Sequence, residues 1–82
     1  MAAAGFKTEM KRLGARIKAI RKKRGLTLDQ LHALCGVTKS LLSQYENAKL
    51  PNIEFYTLFL IAKALDVTIS QLTDYDDTKP SN

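Results

Sequence analysis

In the stretch TLDQLHALCGVTKSLLSQYEN (27–47), apolar residues fall into two short sets of helical period that meet at a glycine. Each set opens on a threonine. Thr27 stands three residues before Gln30, the spacing of a capping box, and Leu26 with Leu31 forms the apolar pair that staples a helix start. Thr38 repeats the device, with Val37 and Leu42 as its pair. Gly36 lies just past the last periodic residue of the first set, where a left-handed backbone is cheap only for glycine. The pattern predicts helices over 28–35 and 39–47, joined by a turn through Gly36 and Val37. Side chains at 31, 35, 37, 42 and 45 should face one another inside the bend.

The flanks extend the pattern. Apolar residues at 6, 10, 13, 17 and 20 share one helix face, which predicts a first helix from about 8 to 23 that stops at Gly25. Residues 1–5 carry no pattern and are expected to be a disordered N-terminus. After a loop at 48–51, Asn52 stands where it could cap a fourth helix from about 53 to 65. That helix, IEFYTLFLIAKAL, has few polar positions: Leu58, Ile61, Ala62 and Leu65 share one face, while Tyr56, Leu60 and Phe59 point elsewhere. A helix that is apolar nearly all round is expected to be buried on more than one side. Tyr56, Phe59 and Leu60 are therefore a candidate dimer interface, with Phe6, Met10 or the chain ends as competitors for the same face. Val67, Thr68, Gln71 and Leu72 repeat the staple and capping box, predicting a fifth helix over 69–73. The remainder, 74–82, is acidic and polar and is expected to be a mobile tail. No strand-like alternation occurs, so the fold class is all-α, with one domain over 6–73.

With Leu31, Gly36, Val37, Leu42, Tyr45, Glu46 and Asn47 at these spacings, the stretch resembles the helix-turn-helix of lambda-repressor-like (XRE/Cro-type) DNA-binding domains. The resemblance runs from residue 13 to about 72. It implies a compact five-helix domain whose helices 2 and 3 form the helix-turn-helix, with helix 3 entering the major groove. The function it implies is a sequence-specific DNA-binding transcriptional regulator, a repressor that binds a palindromic operator as a homodimer. The alternative is a protein-interaction module of the same fold, antitoxin or coactivator-like, with little base-specific binding.

The resemblance also assigns residues. Lys39, Ser40, Ser43 and Gln44 fall on the first turn and outward face of the recognition helix and are the candidate base contacts. Lysine suits guanine O6 and N7, glutamine can bond adenine N6 and N7, and serine is less selective. The bland reading of these positions is a solvated surface. Leu41 either meets a thymine methyl or packs at the helix edge. Thr27 and Leu28 at the start of helix 2, with Asn47 and Lys49 beyond helix 3, are the candidate phosphate contacts. Leu28 stands where the family commonly has glutamine, so a contact there would run through the backbone amide alone. Arg21 and Glu46 match a structural ion pair joining helix 1 to helix 3. His32 replaces the family's small residue, and must swing outward or push helices 2 and 3 apart.

Composition narrows the function classes. The chain has 82 residues, enough for one small domain. Its net charge of +5 is uneven: nine basic residues lie between 7 and 24 against Glu9 alone. A basic stripe beside a helix-turn-helix fits double-stranded DNA, although such a run is often only a solvated helix face. The stripe's last turn also suits the negative end of the helix dipole. One cysteine allows no internal disulfide, and Cys35 on the inward face is expected to be buried and inert. No stretch approaches the roughly 20 apolar residues of a membrane span, and no signal-peptide core follows Met1, so the protein is expected to be cytoplasmic. No paired carboxylates, phosphate-cradling glycine loop or nucleophile–base arrangement is visible. The expectation is no enzyme, no cofactor, no metal and no small-molecule ligand.

Overall fold

Each helix of the chain places at least one large side chain in a common core. The computed structural model describes the backbone of residues 2–73 and the side chains of residues 8–73. The described residues form α1 (Ala2–Lys23), α2 (Leu28–Cys35), α3 (Lys39–Glu46), α4 (Phe55–Ala64) and α5 (Ile69–Thr73). Ile17, Leu31, Leu42, Ile61 and Leu72, one from each helix in order, are fully buried, together with Leu65 at the end of α4. Burying a side chain of this kind stabilises by about 1.5–3 kcal/mol, so the core leans on every element.

Three of the helix starts follow the sequence pattern. Thr27 Oγ1 accepts from the Gln30 amide at 3.1 Å, and the Thr27 amide donates to Gln30 Oε1 at 2.8 Å. Thr68 and Gln71 make the same reciprocal pair at 2.9 Å each way. Thr38 Oγ1 accepts from the Leu41 amide at 3.2 Å. α4 differs. It starts at Phe55 with Glu54 as its N-cap and no side-chain cap bond, so Asn52 is not the cap the sequence suggested. Ile53 explains the shift: it packs against the core and, with buried Leu58, occupies the two flanking positions of a staple. Burial of Ile53 sets the entry, and the cap falls on whatever residue follows.

Two other boundaries move. α1 begins at Ala2 instead of near residue 8, so helix runs through 2–5, where a disordered start was expected. α3 ends at Glu46, with Asn47 as its C-cap. The side chain of Phe6 and the predicted tail 74–82 lie outside the described residues.

The ends of α1, α3 and α4 share one geometry. The Leu26, Lys49 and Val67 amides donate back to the Arg21, Gln44 and Ala62 carbonyls at 3.1, 2.8 and 3.0 Å. Such a bond spans six residues and needs a left-handed residue just before the donor. Those residues are Gly25 (φ 73°), Ala48 (φ 55°) and Asp66 (φ 61°). Glycine takes this conformation freely, whereas Ala48 and Asp66 hold it at a cost.

Candidate nucleic-acid interface

The inner face of the helix-turn-helix closes as the spacing predicts. Leu31, Cys35, Val37, Leu42 and Tyr45 are all buried, and Gly36 turns the chain at φ 78°. His32 swings outward. It is exposed, and its Nδ1 lies 2.9 Å from the Val37 carbonyl oxygen. A carbonyl only accepts, so Nδ1 carries the proton and ties the end of α2 to the turn. Burial pushes the Cys35 thiol up, against hydrogen bonding from the Val37 and Cys35 backbone. The thiol is therefore held neutral. Tyr45 is raised too, by burial first and then by the charge of Glu54.

α3 is fixed to α1 by an ion pair and a close approach. Arg21 Nε donates to Glu46 Oε2 at 2.6 Å and its Nη2 to Oε1 at 3.0 Å, a two-pronged fork. The third prong, Nη1, donates to the Leu26 carbonyl at 2.7 Å. The side chains are only 9% and 3% exposed, so the structural pair is a buried one. The hydrogen bonding it donates to Glu46 is the main cause raising the Arg21 guanidinium, with burial opposing it and the carboxylate charge adding to it. Seven residues earlier on α1, a Cβ on Gly14 would come within 2.2 Å of the Tyr45 carbonyl oxygen and 3.0 Å of that of Glu46. Only glycine lets the two backbones approach so closely. The sequence reading missed Gly14, because nothing in a helical pattern marks which glycine faces a neighbouring backbone.

With its inner face locked, α3 presents a polar outer face. Lys39 and Ser40 are exposed, while Ser43 and Gln44 are half-buried. Gln44 Nε2 donates to Ser40 Oγ at 3.3 Å, and Asn47 Nδ2 donates to the Ser43 carbonyl at 2.8 Å and to Ser43 Oγ at 3.4 Å. These are local bonds among exposed or half-buried groups, which incoming base edges can replace. Leu41 is half-buried against the core, so edge packing describes it.

The candidate phosphate contacts adjoin this face. At the start of α2, Thr27 is exposed and Leu28 is half-buried. The capping box occupies the Thr27 and Gln30 amides, leaving those of Leu28 and Asp29 to point out of the helix end. Thr27 Oγ1 accepts in the cap and keeps its hydroxyl proton to donate outward. The two helix starts are linked side to side, since Lys39 Nζ lies 3.4 Å from Asp29 Oδ2. Asp29 is a second residue the sequence reading passed over; its first-turn position accounts for an acid without pointing to a partner ten residues on. Lys49 is exposed beyond α3.

The basic stripe of α1 divides. Arg21 is consumed by Glu46, Arg16 Nε donates to the Gln71 carbonyl at 2.9 Å, and Arg24 Nη2 donates to the Asp66 carbonyl at 3.3 Å. These three tie α1 to α3, α5 and the end of α4, while Lys11, Arg12, Lys18, Lys22 and Lys23 remain exposed.

A second surface lies on α4. Phe55, Tyr56 and Phe59 are 71%, 67% and 41% exposed. Leu60, expected beside them, is half-buried against the core, and Phe55, not singled out from the sequence, takes its place outside. Met10 is in the core and does not cover this face. Phe55 and Phe59, with Val67 and Ile69 of the following turn and α5, line an open groove of about 680 Å³. Lys63 Nζ sits over the Phe59 ring, 6.0 Å from its centre. Among the described residues no cluster of His, Cys, Asp and Glu could hold a metal ion, and no helix is long and apolar enough to cross a membrane.

Known proteins share this arrangement. A helix-turn-helix family model matches residues 17–72, more than half of the chain. The HTH-type transcriptional regulator SinR of Bacillus subtilis (strain 168) is 37% identical over 62 residues, which are 76% of this chain and 56% of SinR. The chain thus spans a little over half the length of the curated relatives it matches. An HTH_3 family transcriptional regulator from Vibrio cholerae superposes with a TM-score of 0.80 at 31% identity, over 87% of this chain and 39% of that one. The biofilm regulator SinR, solved in complex with DNA, superposes with a TM-score of 0.70 at 37% identity, over 73% of this chain and 95% of that one. A buried core from five helices, the αL turn at Gly36 and the family match together place this chain in the XRE-type, lambda-repressor-like helix-turn-helix family.

Proposed function

We propose that this domain binds double-stranded DNA sequence-specifically and is the DNA-reading part of a transcriptional regulator. The observation that carries this is the division of α3: Leu42, Tyr45 and Glu46 are buried, while Lys39, Ser40, Ser43 and Gln44 face outward beside the start of α2. A helix held from behind, with hydrogen-bonding side chains in front, is what major-groove reading requires. The DNA complex of the SinR relative supports the same use of the fold. In this role Lys39 and Gln44 carry base discrimination, with Ser40 and Ser43 beside them. Thr27, the Leu28 amide, Asn47 and Lys49 hold the phosphates and set the register.

The finer reading is a repressor acting as a homodimer on a palindromic operator. One recognition helix covers only a few base pairs, and two-fold pairing places two of them about one helical turn (~34 Å) apart. Phe55, Tyr56 and Phe59 supply the apolar surface for a second copy. The same aromatics would serve a different protein partner, which keeps the interaction-module alternative in view. A gel shift on random duplexes at two salt concentrations separates these readings. Binding at low salt that weakens as salt rises supports the DNA reading. No binding at low salt would leave only the interaction module.

A further inference from the structure

Residues 28–46 contain two acids, Asp29 and Glu46. Glu46 is buried and neutralised by Arg21. Asp29 stands in the first turn of α2, on the surface where phosphates are expected, with its side chain 73% exposed. An acid there repels a DNA backbone, and it contacts the one lysine that opens the recognition helix. Resting on the DNA reading above, we infer that Asp29 is a specificity-determining residue that withholds Lys39 from phosphates and holds it where only a matching base can share it.

The effect of Asp29 is electrostatic. A free lysine at the start of α3 would grip phosphate on any duplex and raise affinity without regard to sequence. Held 3.4 Å from Asp29, the Lys39 ammonium is already paired, so exchanging the carboxylate for a phosphate gains less than a free lysine would and leaves Asp29 unpaired beside the backbone. That is a penalty built against the wrong partner. A guanine in register offers O6 and N7 acceptors that the ammonium can reach without leaving Asp29, because Nζ carries three donors. The carboxylate can in turn accept from the amino group of a neighbouring cytosine. The pair therefore favours a guanine-containing step at the base facing Lys39. An ordinary dipole role for Asp29 would stabilise the start of α2 but would not depend on the DNA sequence.

The test compares the wild type, D29N and D29E by fluorescence anisotropy. The probes are the duplex most enriched from a random library and a scrambled duplex of equal length, each at two salt concentrations. D29N should tighten the scrambled duplex by about 1.4- to fivefold, the factor an exposed ion pair of this kind is worth. It should leave the enriched duplex nearly unchanged and steepen the salt slope on scrambled DNA by about 0.9, one further phosphate. D29E keeps the charge and should behave as the wild type. Equal changes on both duplexes, no change on either, or D29E behaving like D29N would overturn the assignment. Failure of the wild type to bind either duplex at low salt would instead overturn the DNA reading, and this assignment with it.

Discussion

α3 and α4 are both helices with one buried face, yet they leave opposite chemistry outside. α3 buries Leu42, Tyr45 and Glu46 and shows lysine, serine and glutamine to solvent. α4 buries Leu58, Ile61 and Ala62 and shows Phe55, Tyr56 and Phe59. Water satisfies the first surface and does not satisfy the second. The polar side chains of α3 bond locally to one another and can exchange those bonds for base edges. The aromatic rings of α4 gain only by losing contact with water, which is how a protein partner is recruited. The buried faces join both helices to one core, and the residues left outside distinguish them.

The contrast breaks first at the buried fork behind α3. Replacing Glu46 by Ala leaves the Arg21 charge buried without its partner and should cost about 3–5 kcal/mol in urea unfolding. A loss below about 1 kcal/mol would mean the pair behaves as an exposed one and does not lock α3 from behind. Next in size is Gly14→Ala. Alanine is the better helix former, but here its Cβ would press on the Tyr45 and Glu46 carbonyls. The expected result is a net destabilisation of about 1–3 kcal/mol, read from the thermal midpoint, with stabilisation counting against the close seam.

On the α4 side, the double substitution of Phe55 and Phe59 by Ser should cost monomer stability about 1 kcal/mol or less. Sedimentation at rising protein concentration should show the wild type associating and the double variant remaining a monomer. A wild type that stays monomeric at high concentration would remove the second copy from the account. The smallest effect is a gain. Ala48→Gly relieves the left-handed strain after α3 and should stabilise by about 0.5–1 kcal/mol, with unchanged DNA binding.

How much of this was legible depended on whether the signal was local. The helices 28–35 and 69–73 and the turn at Gly36 could be read because capping boxes, staples and a left-handed glycine are short-range devices. Where a local device lacked its usual residue, the boundary slipped: α4 is entered through Ile53 and Glu54, and a glutamate seldom advertises a cap. The core followed from helical period, and the Arg21–Glu46 pair from the family resemblance. Contacts between elements left no local trace. Gly14 facing two carbonyls, Asp29 beside Lys39, and the exchange of Leu60 for Phe55 on the outer face of α4 all depend on how helices rotate against one another.

Base reading by the outer face of α3 is open to direct trial. Selection of bound duplexes from a random library, with the wild type and Gln44→Ala run in parallel, tests it most directly. The wild type should recover a two-fold-symmetric pair of half-sites about one helical turn (~34 Å) apart. Gln44→Ala should relax preference at one position per half-site, a loss of about 1–3 kcal/mol of discrimination. Enrichment of no sequence by the wild type, or an identical preference from Gln44→Ala, would contradict the account.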